Sequence, residues 1–508
     1  MTVKIERRMW WIYACAAVTC IVALCGTPWW TVDDAFIAYR YARNLVLDGV
    51  LTWNIQDSAL VEGYTGIFLP LLSAAIMKLG LPLVISIKIL GVLAIPAIGW
   101  LVLSTMSRMG ASPSSAAFTI LLLSAGPPLY MHALSGLETI FFSLFMMGTF
   151  WGLAGVKTPG ARVVPLLWFA TFAVLVGLCR PEGIALAVLS CAFMAYKFGS
   201  QGDGASDRKY YPIVVLPVLV LLGYWAWRAG YYGSFLPNSY HAKRFDGLFN
   251  WDSVVALAKF GGYYCLMPSA GLLCVHWLAG LRGILPRLQM RWVAILFLVV
   301  CWGLYLHSSL WMNYGSRFFY PFLPVILVFL IHALDSAWSR LKQGAEKHRR
   351  QLAARWCIAG LAVLQGGVMV FRADRQSVFL KDYTAVLEEE LIPAGQFLAE
   401  HFPGDARVIS YMDAGAVGYF SGLEIIDFGR LNDQYLAQNK LSNAQVLEYF
   451  FKQDADAVVM TSESQDSFSY VPEAMSIVRD PRFRAYRLSR RWGNSVGFPY
   501  WQWLYVRE

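Results

Sequence analysis

Eleven apolar runs of bilayer-crossing length constrain this chain more than any other feature. They fall at residues 9–28, 83–105, 114–131, 139–156, 163–180, 183–198, 212–230, 264–281, 292–311, 318–336 and 356–371. A helix needs about 20 predominantly apolar residues to cross roughly 30 Å of hydrocarbon, where each backbone polar group must find its partner inside the protein. The pattern therefore predicts a polytopic α-helical membrane protein. Composition agrees: 57% of the 508 residues are hydrophobic and 15% are charged, against about 25% charged in an average soluble domain. A disordered chain, a coiled coil and an ordinary cytosolic enzyme are excluded.

Charge orients the runs. Lys4, Arg7 and Arg8 precede the first run, which closes in Thr27-Pro28-Trp29-Trp30 without a small-residue cleavage site. This predicts an uncleaved first span with a cytoplasmic N-terminus. The run 64–80 reads either as a twelfth span or as an amphipathic helix on the membrane surface. Counting it as a span would turn the basic cluster Arg340, Lys342, Lys347, Arg349, Arg350 and Arg355 outward, against the positive-inside rule. Surface placement is the expectation, and eleven spans then put the C-terminus outside. From residue 372 charges become frequent and no spanning run remains. Strand-like segments at Arg407–Tyr411, Ala457–Met460 and Phe483–Leu488 alternate with helical stretches at 384–401 and 441–453. The expected division is a membrane domain over 1–371 and a small α/β domain over 372–508, facing the periplasm.

The net charge of +9 follows from the basic loops between spans, so a nucleic-acid partner is not expected. The nine cysteines lie in or beside apolar runs, with none in 372–508 and no CxxC; they read as small hydrophobes. The seven histidines show no ligand spacing, so no metal site and no cofactor are expected. A divalent ion on Asp33, Asp34, Glu62 or Glu138 stays open, because such ions take oxygen ligands.

Compact polar motifs gather at the outer ends of the spans. They are Asp33-Asp34, Glu62-Gly63-Tyr64-Thr65, Gly136-Leu137-Glu138-Thr139, Arg180-Pro181-Glu182-Gly183, Leu236 to Arg244 (LPNSYHAKR) and Arg317-Phe318-Phe319-Tyr320-Pro321. Ionisable groups near hydrocarbon are costly and tend to be functional. Acids and bases from six loops on one face predict a site at the outer membrane surface. Thr31-Val32-Asp33-Asp34 also fits a capping box, so each aspartate reads either as a cap or as a general base. Neighbours on a helix point about 100° apart, and the two would not share one task. His241, Lys243, Arg244 and Arg317 read either as interfacial cations or as ligands for a lipid-borne phosphate. Arg180 beside Glu182 reads first as an ion pair, and Glu62 and Glu138 as caps, ion-pair partners or hydroxyl ligands.

The stretch Asp33 to Leu45 (DDAFIAYRYARNL), followed by Val61-Glu62-Gly63-Tyr64-Thr65, resembles the bacterial GT-C glycosyltransferases. The closest likeness is to terminal arabinofuranosyltransferases of the mycobacterial type and their pilin-modifying relatives. The segments GLET, RPEG, LPNSYHAK and RFFYP follow in the same order. So do Asp413 to Tyr419 (DAGAVGY), Ile426-Asp427 and Leu431-Asn432-Asp433; the resemblance covers about residues 30–435. At Asn432, preceded by Arg430, the chain departs from the usual glycine-leucine-threonine sequence. The resemblance implies a polyprenyl-phosphate-linked sugar donor, D-arabinofuranose first. It also implies transfer outside a bacterial cytoplasmic membrane and an essential acid that maps onto Asp33 or Asp34.

The residue inventory fits that chemistry. A lipid phosphate is a good leaving group that mainly needs cations against its developing charge, and one carboxylate can activate the acceptor hydroxyl. One base with a cationic cradle predicts inversion at the anomeric carbon. On this reading His241, Lys243, Arg244 and Arg317 hold the phosphate, while Glu62, Tyr64, Glu138 and Arg180 shape the sugar pocket. The acceptor is a cell-envelope glycan, a lipid or a pilin-like protein. The alternatives are transfer of mannose, aminoarabinose or an oligosaccharide, or a lipid or sugar transporter. A transporter would carry its charges at mid-membrane in repeated halves, where only Lys88 and Arg228 are candidates.

Overall fold

A computed structural model describes residues 10–56, 60–156, 162–201, 208–245, 247–278, 290–341, 347–494, 497 and 499–508. Of the basic residues used to orient the spans, Lys4, Arg7, Arg8 and Lys342 lie outside them. The chain opens with α1 (Trp10–Gly26), α2 (Asp33–Leu47), α3 (Phe68–Lys78) and α4 (Leu83–Arg108). Then come α5 (Pro113–Ser124), α6 (Pro127–Leu134), α7 (Thr139–Gly155), α8 (Val163–Cys179), α9 (Glu182–Gln201) and α10 (Tyr211–Tyr232). They are followed by α11 (Asn238–Ala242), α12 (Trp251–Phe260), α13 (Leu266–Leu278), α14 (Met290–Leu306), α15 (Leu323–Leu341), α16 (Lys347–Val386) and α17 (Ile392–His401).

Among the described residues ten of the eleven apolar runs fall on one helix each. Among the described residues five helices are long and apolar enough to cross a membrane: α4, α9, α10, the segment Tyr314–Leu341 that ends as α15, and Arg349–His401. The run 114–131 is broken instead. Its two halves, α5 and α6, meet at 60°, where Pro127 and Pro128 remove two backbone donors. Helices α1, α7, α8 and α14 have 17 residues each. At 1.5 Å per residue that is about 25 Å, close to the hydrocarbon thickness. Helix α3 has 11 residues, about 16 Å, too short to cross.

The C-terminal part is a five-stranded sheet in the order β2-β1-β3-β5-β4. The strands are β1 (Arg407–Tyr411), β2 (Glu424–Asp427), β3 (Ala457–Ser462), β4 (Tyr486–Asn494) and β5 (Tyr500–Arg507). Helix α18 (Gly415–Ser421) links β1 to β2, while α19 (Gln434–Gln438), α20 (Asn443–Lys452) and α21 (Pro472–Arg479) follow. The β1–β2 and β1–β3 pairs are parallel; β3–β5 and β4–β5 are antiparallel. The predicted strand at 483 starts later, because Pro481–Ala485 form a 3-10 turn.

Period-two alternation explains the sandwiching of this sheet. Ile409, Tyr411, Val458, Met460, Trp503 and Tyr505 face one core. Val408, Ile425, Ala457, Val459 and Leu504 face the other, which is continuous with the core of the membrane helices. Strands buried on both faces read as unbroken apolar runs. Helix α16 passes through residue 371 without interruption, so the two parts share both a helix and a core.

Candidate active site

Helix α2 positions the two aspartates, and it does so differently from the capping-box expectation. The helix starts at Asp33, and Val32 is its N-cap, with no side-chain cap bond. The Val32 N–H instead donates to the Ser135 carbonyl at 3.1 Å, and Tyr39 Oη donates to the Gly136 carbonyl at 2.8 Å. These bonds hold the Ser135–Glu138 turn, in which Gly136 sits at φ 81°, against the first turns of α2.

Asp33 and Asp34 then part company. Asp33 is buried and points at the C-terminal part. Its carboxylate accepts from the Gly415 N–H at 3.0 Å and the Ala416 N–H at 2.6 Å, at the first turn of α18. Gly415 has no alternative here, since a Cβ would stand 2.2 Å from the Asp33 carbonyl oxygen. Burial holds the Asp33 carboxyl above the usual range, and the nearby Asp413 and Asp34 charges add to the effect. Asp34 stays 24% exposed and pairs with Arg317 at 3.0 Å.

Other contacts fasten the same seam. Arg40 donates to the Trp53, Gly418 and Leu423 carbonyls and to Asn54 Oδ1, over the face of Trp53. Tyr41 Oη donates to Asn432 Oδ1 at 3.1 Å. Asn432, where the sequence departs from the family pattern, lies so close to Gly63 that a Cβ there would be 1.8 Å from its Oδ1.

Asp34 lines a small cavity of about 30 Å3 together with Tyr64, Glu138, Ser239, Lys243, Arg317 and Leu431. Five of the ten predicted site residues meet here: Asp34, Tyr64, Glu138, Lys243 and Arg317. Arg317 is 3% exposed, and its Nε has no hydrogen-bond partner. The Lys243 ammonium lies 5.3 Å from the centre of the Phe318 ring. Burial, then the Arg317 charge, pushes Lys243 down to about 8. Tyr64 Oη lies 3.0 Å from Tyr232 Oη.

The other predicted residues sit elsewhere. Glu62 is buried behind the cavity in a 2.6 Å pair with Arg228, whose guanidinium also donates to the Phe235 carbonyl at 2.8 Å. Arg180 is buried and lies 3.4 Å from Glu138 and 3.5 Å from Glu182, supporting the cavity wall through Glu138. His241 and Arg244 do not line this cavity. Lys88, the other mid-run cation, is buried beside the Trp29 ring.

Asp413 belongs to the seam too. Its Oδ2 accepts from Thr461 Oγ1 at 2.9 Å and from Tyr500 Oη; burial raises its carboxyl, and the Asp34 charge adds to the rise. Asp427 accepts from the Gly429 N–H at 2.7 Å and from Asn432 at 2.9 and 2.8 Å. In the sequence these two aspartates stand out only within the resembling stretches Asp413 to Tyr419 and Ile426-Asp427, which assign them no role. Among the described residues no group of three or more His, Cys, Asp or Glu side chains is placed to hold a metal.

A helical body joined to a small sheet domain is a fold that this chain shares with solved structures of other proteins. The chain resembles ArnT from Cupriavidus metallidurans bound to undecaprenyl phosphate with a TM-score of 0.58 and 14% identity, over 99% of this chain and 98% of that one. The apo form of ArnT gives a TM-score of 0.60 at 13% identity with the same coverage. The archaeal oligosaccharyltransferase AglB from Archaeoglobus fulgidus, in complex with an inhibitory peptide and a dolichol-phosphate, gives 0.56 at 14% identity. That match covers 97% of this chain and 74% of AglB. A domain of unknown function, DUF8728, matches residues 381–505. No curated protein matches the sequence.

Proposed function

We propose that the chain is a glycosyltransferase that moves a sugar from a polyprenyl-phosphate carrier to a hydroxyl acceptor. The observation that carries this reading is one cavity in which a partly exposed carboxylate, Asp34, stands against two cations, Arg317 and Lys243. The likeness of the whole chain to a protein solved with undecaprenyl phosphate supports it.

On this reading Arg317 and Lys243 take the carrier phosphate, and the unpartnered Arg317 Nε supplies a ready donor. Phosphate competes for Arg317 and leaves Asp34 free to accept a proton. The acceptor oxygen attacks the anomeric carbon as its proton passes to Asp34. The bond from that carbon to the phosphate oxygen breaks, and the electron pair leaves on the lipid phosphate. A single displacement inverts the anomeric centre. Asp33, committed to two backbone amides, fastens α18 to α2 and takes no proton from the acceptor. Tyr64 and Glu138 border the sugar. His241, half-buried, and Arg244, exposed, meet carrier headgroups before the phosphate reaches Arg317.

The sugar is D-arabinofuranose on the strength of the sequence resemblance, with mannose, aminoarabinose and an oligosaccharide as the alternatives to compare. The chain spans the bacterial cytoplasmic membrane eleven times with a cytoplasmic N-terminus. Residues 1–371 form the membrane domain, and 372–508 form the periplasmic domain carried on the end of α16. The test is sugar transfer from radiolabelled polyprenyl-phospho-arabinofuranose by the purified chain in lipid nanodiscs. Transfer by the wild type that is lost in Asp34→Asn, with undecaprenyl phosphate still bound, supports the reading. Transfer undiminished in Asp34→Asn refutes the mechanism.

A further inference from the structure

Two neighbouring phenylalanines follow Arg317, and they keep opposite company. Phe319 is fully buried among the rings of Phe260, Trp302 and Tyr305, with centroids 6.0, 6.5 and 5.8 Å away. Phe318, 4% exposed, stands among charges instead. The Arg180 guanidinium, the Lys243 ammonium and the Arg317 guanidinium lie 5.5, 5.3 and 5.8 Å from the centre of its ring. Arg180 and Arg317 each have a second ring as well, Phe142 and Tyr314, so Phe318 is the ring common to all three. The cations come from distant stretches of chain: the C-cap of α8, the C-cap of α11 and the turn before α15.

Gathering three cations at one buried point is unfavourable by itself. The Arg317 and Arg180 charges both act against the Lys243 ammonium, while Asp34 and Glu138 favour it. Hydrogen bonds do not complete the balance. Among the described residues Arg180 Nε and Nη1 and Arg317 Nε have no hydrogen-bond partner. An aliphatic side chain at residue 318 would fill the space and offer the charges nothing. An aromatic ring carries a negative face, which attracts a cation within about 6 Å of its centroid, and more strongly where water is excluded.

We propose that Phe318 is a positioning residue of the phosphate site, whose ring holds Lys243 and Arg317 together and charged before a phosphate arrives, with Arg180 as the third cation it serves. Volume does not distinguish Phe318 from Phe319; what each ring touches does. Where the cations are gathered in advance, none of the attraction of an incoming phosphate is lost in overcoming their mutual repulsion. Phe318 itself touches neither sugar nor phosphate on this assignment and acts through Lys243 and Arg317. The assignment rests on the glycosyl-transfer reading, in which those two cations take the carrier phosphate, and adds to it the group that keeps them in place.

The test uses the full chain in lipid nanodiscs, with undecaprenyl phosphate as the probe. Phe318 is replaced by phenylalanines carrying one, two and three ring fluorines. These keep the shape of the ring while its negative face weakens step by step, so folding is preserved. Undecaprenyl phosphate affinity near neutral pH should fall with each fluorine, to about fivefold below wild type in the trifluoro form, the scale of one cation–ring contact. The midpoint of its pH profile, set by a Lys243 ammonium that titrates at about 8, should move lower, because a weaker ring favours the charged form less. The same series at Phe319 should change neither affinity nor midpoint, which separates the charge effect from packing. The inference is overturned if affinity is indifferent to fluorine at Phe318, if the Phe319 series falls in parallel, or if Phe318→Leu binds as the wild type does. Failure of the transfer reading has its own signature, undecaprenyl phosphate binding that is indifferent to Arg317→Gln.

Discussion

Two acid–arginine pairs of this molecule have opposite surroundings. Glu62 and Arg228 are 3% and 1% exposed and 2.6 Å apart, in a sealed position where Arg228 also holds the Phe235 carbonyl. Asp34 and Arg317 are 3.0 Å apart, but the acid is 24% exposed and faces a cavity. In a sealed pair each charge depends on the other, and removing one leaves an uncompensated buried ion. In an open pair either partner can be exchanged for a ligand. On the proposed reading the same chemistry serves as a fastening in one place and as a reactive group in the other.

Breaking each pair separately tests that contrast. Asp34→Asn should lower transfer roughly 10^3-fold, about 4 kcal/mol of activation free energy, with thermal stability close to wild type; a large fall in melting temperature would place Asp34 with the structural pairs. Glu62→Gln should do the reverse. It should destabilise the fold by about 3 kcal/mol, read as a lower melting temperature, while the folded fraction still binds undecaprenyl phosphate. A smaller effect belongs to Asp33. Replacing one acceptor oxygen with an amide in Asp33→Asn should cost about 1–2 kcal/mol of docking, seen as faster amide exchange in α18 than in β3.

The smallest effect is a pH dependence. The Lys243 ammonium, pushed down to about 8 by burial and Arg317, is charged below that pH and neutral above it. Undecaprenyl phosphate affinity should therefore be highest below pH 8 and fall as pH rises through about 8, and bound phosphate moves the midpoint upward. Lys243→Arg keeps its charge throughout and should flatten the profile; an unchanged profile would remove Lys243 from the phosphate site.

Much of this was legible in the sequence because the bilayer imposes a simple code. Apolar length marks helices, and ten of the eleven runs fall on one helix each, the run 114–131 on two. The clustering of acids and bases at one end of those runs marked candidate residues, five of which line one cavity, since charge near hydrocarbon is tolerated there only for a reason. Less visible was anything that depended on a partner far along the chain. Thr31 fits a capping box, yet the helix starts at Asp33 because Val32 is held by Ser135. Strand β2, only four residues long, and strand β5 went unread in the sequence.

The sequence by itself therefore determined a helical membrane body, a small α/β part after it, and a set of loops rich in acids and bases. Tertiary structure alone decided which of them act together. Asp33 and Asp34 are chemically identical neighbours, and about 100° of helical rotation separates them. What stands at each bearing, two amides of α18 for one and Arg317 with a cavity for the other, comes from residues 283 to 383 positions away. Local sequence fixes the direction of a side chain, but only long-range packing supplies what it meets.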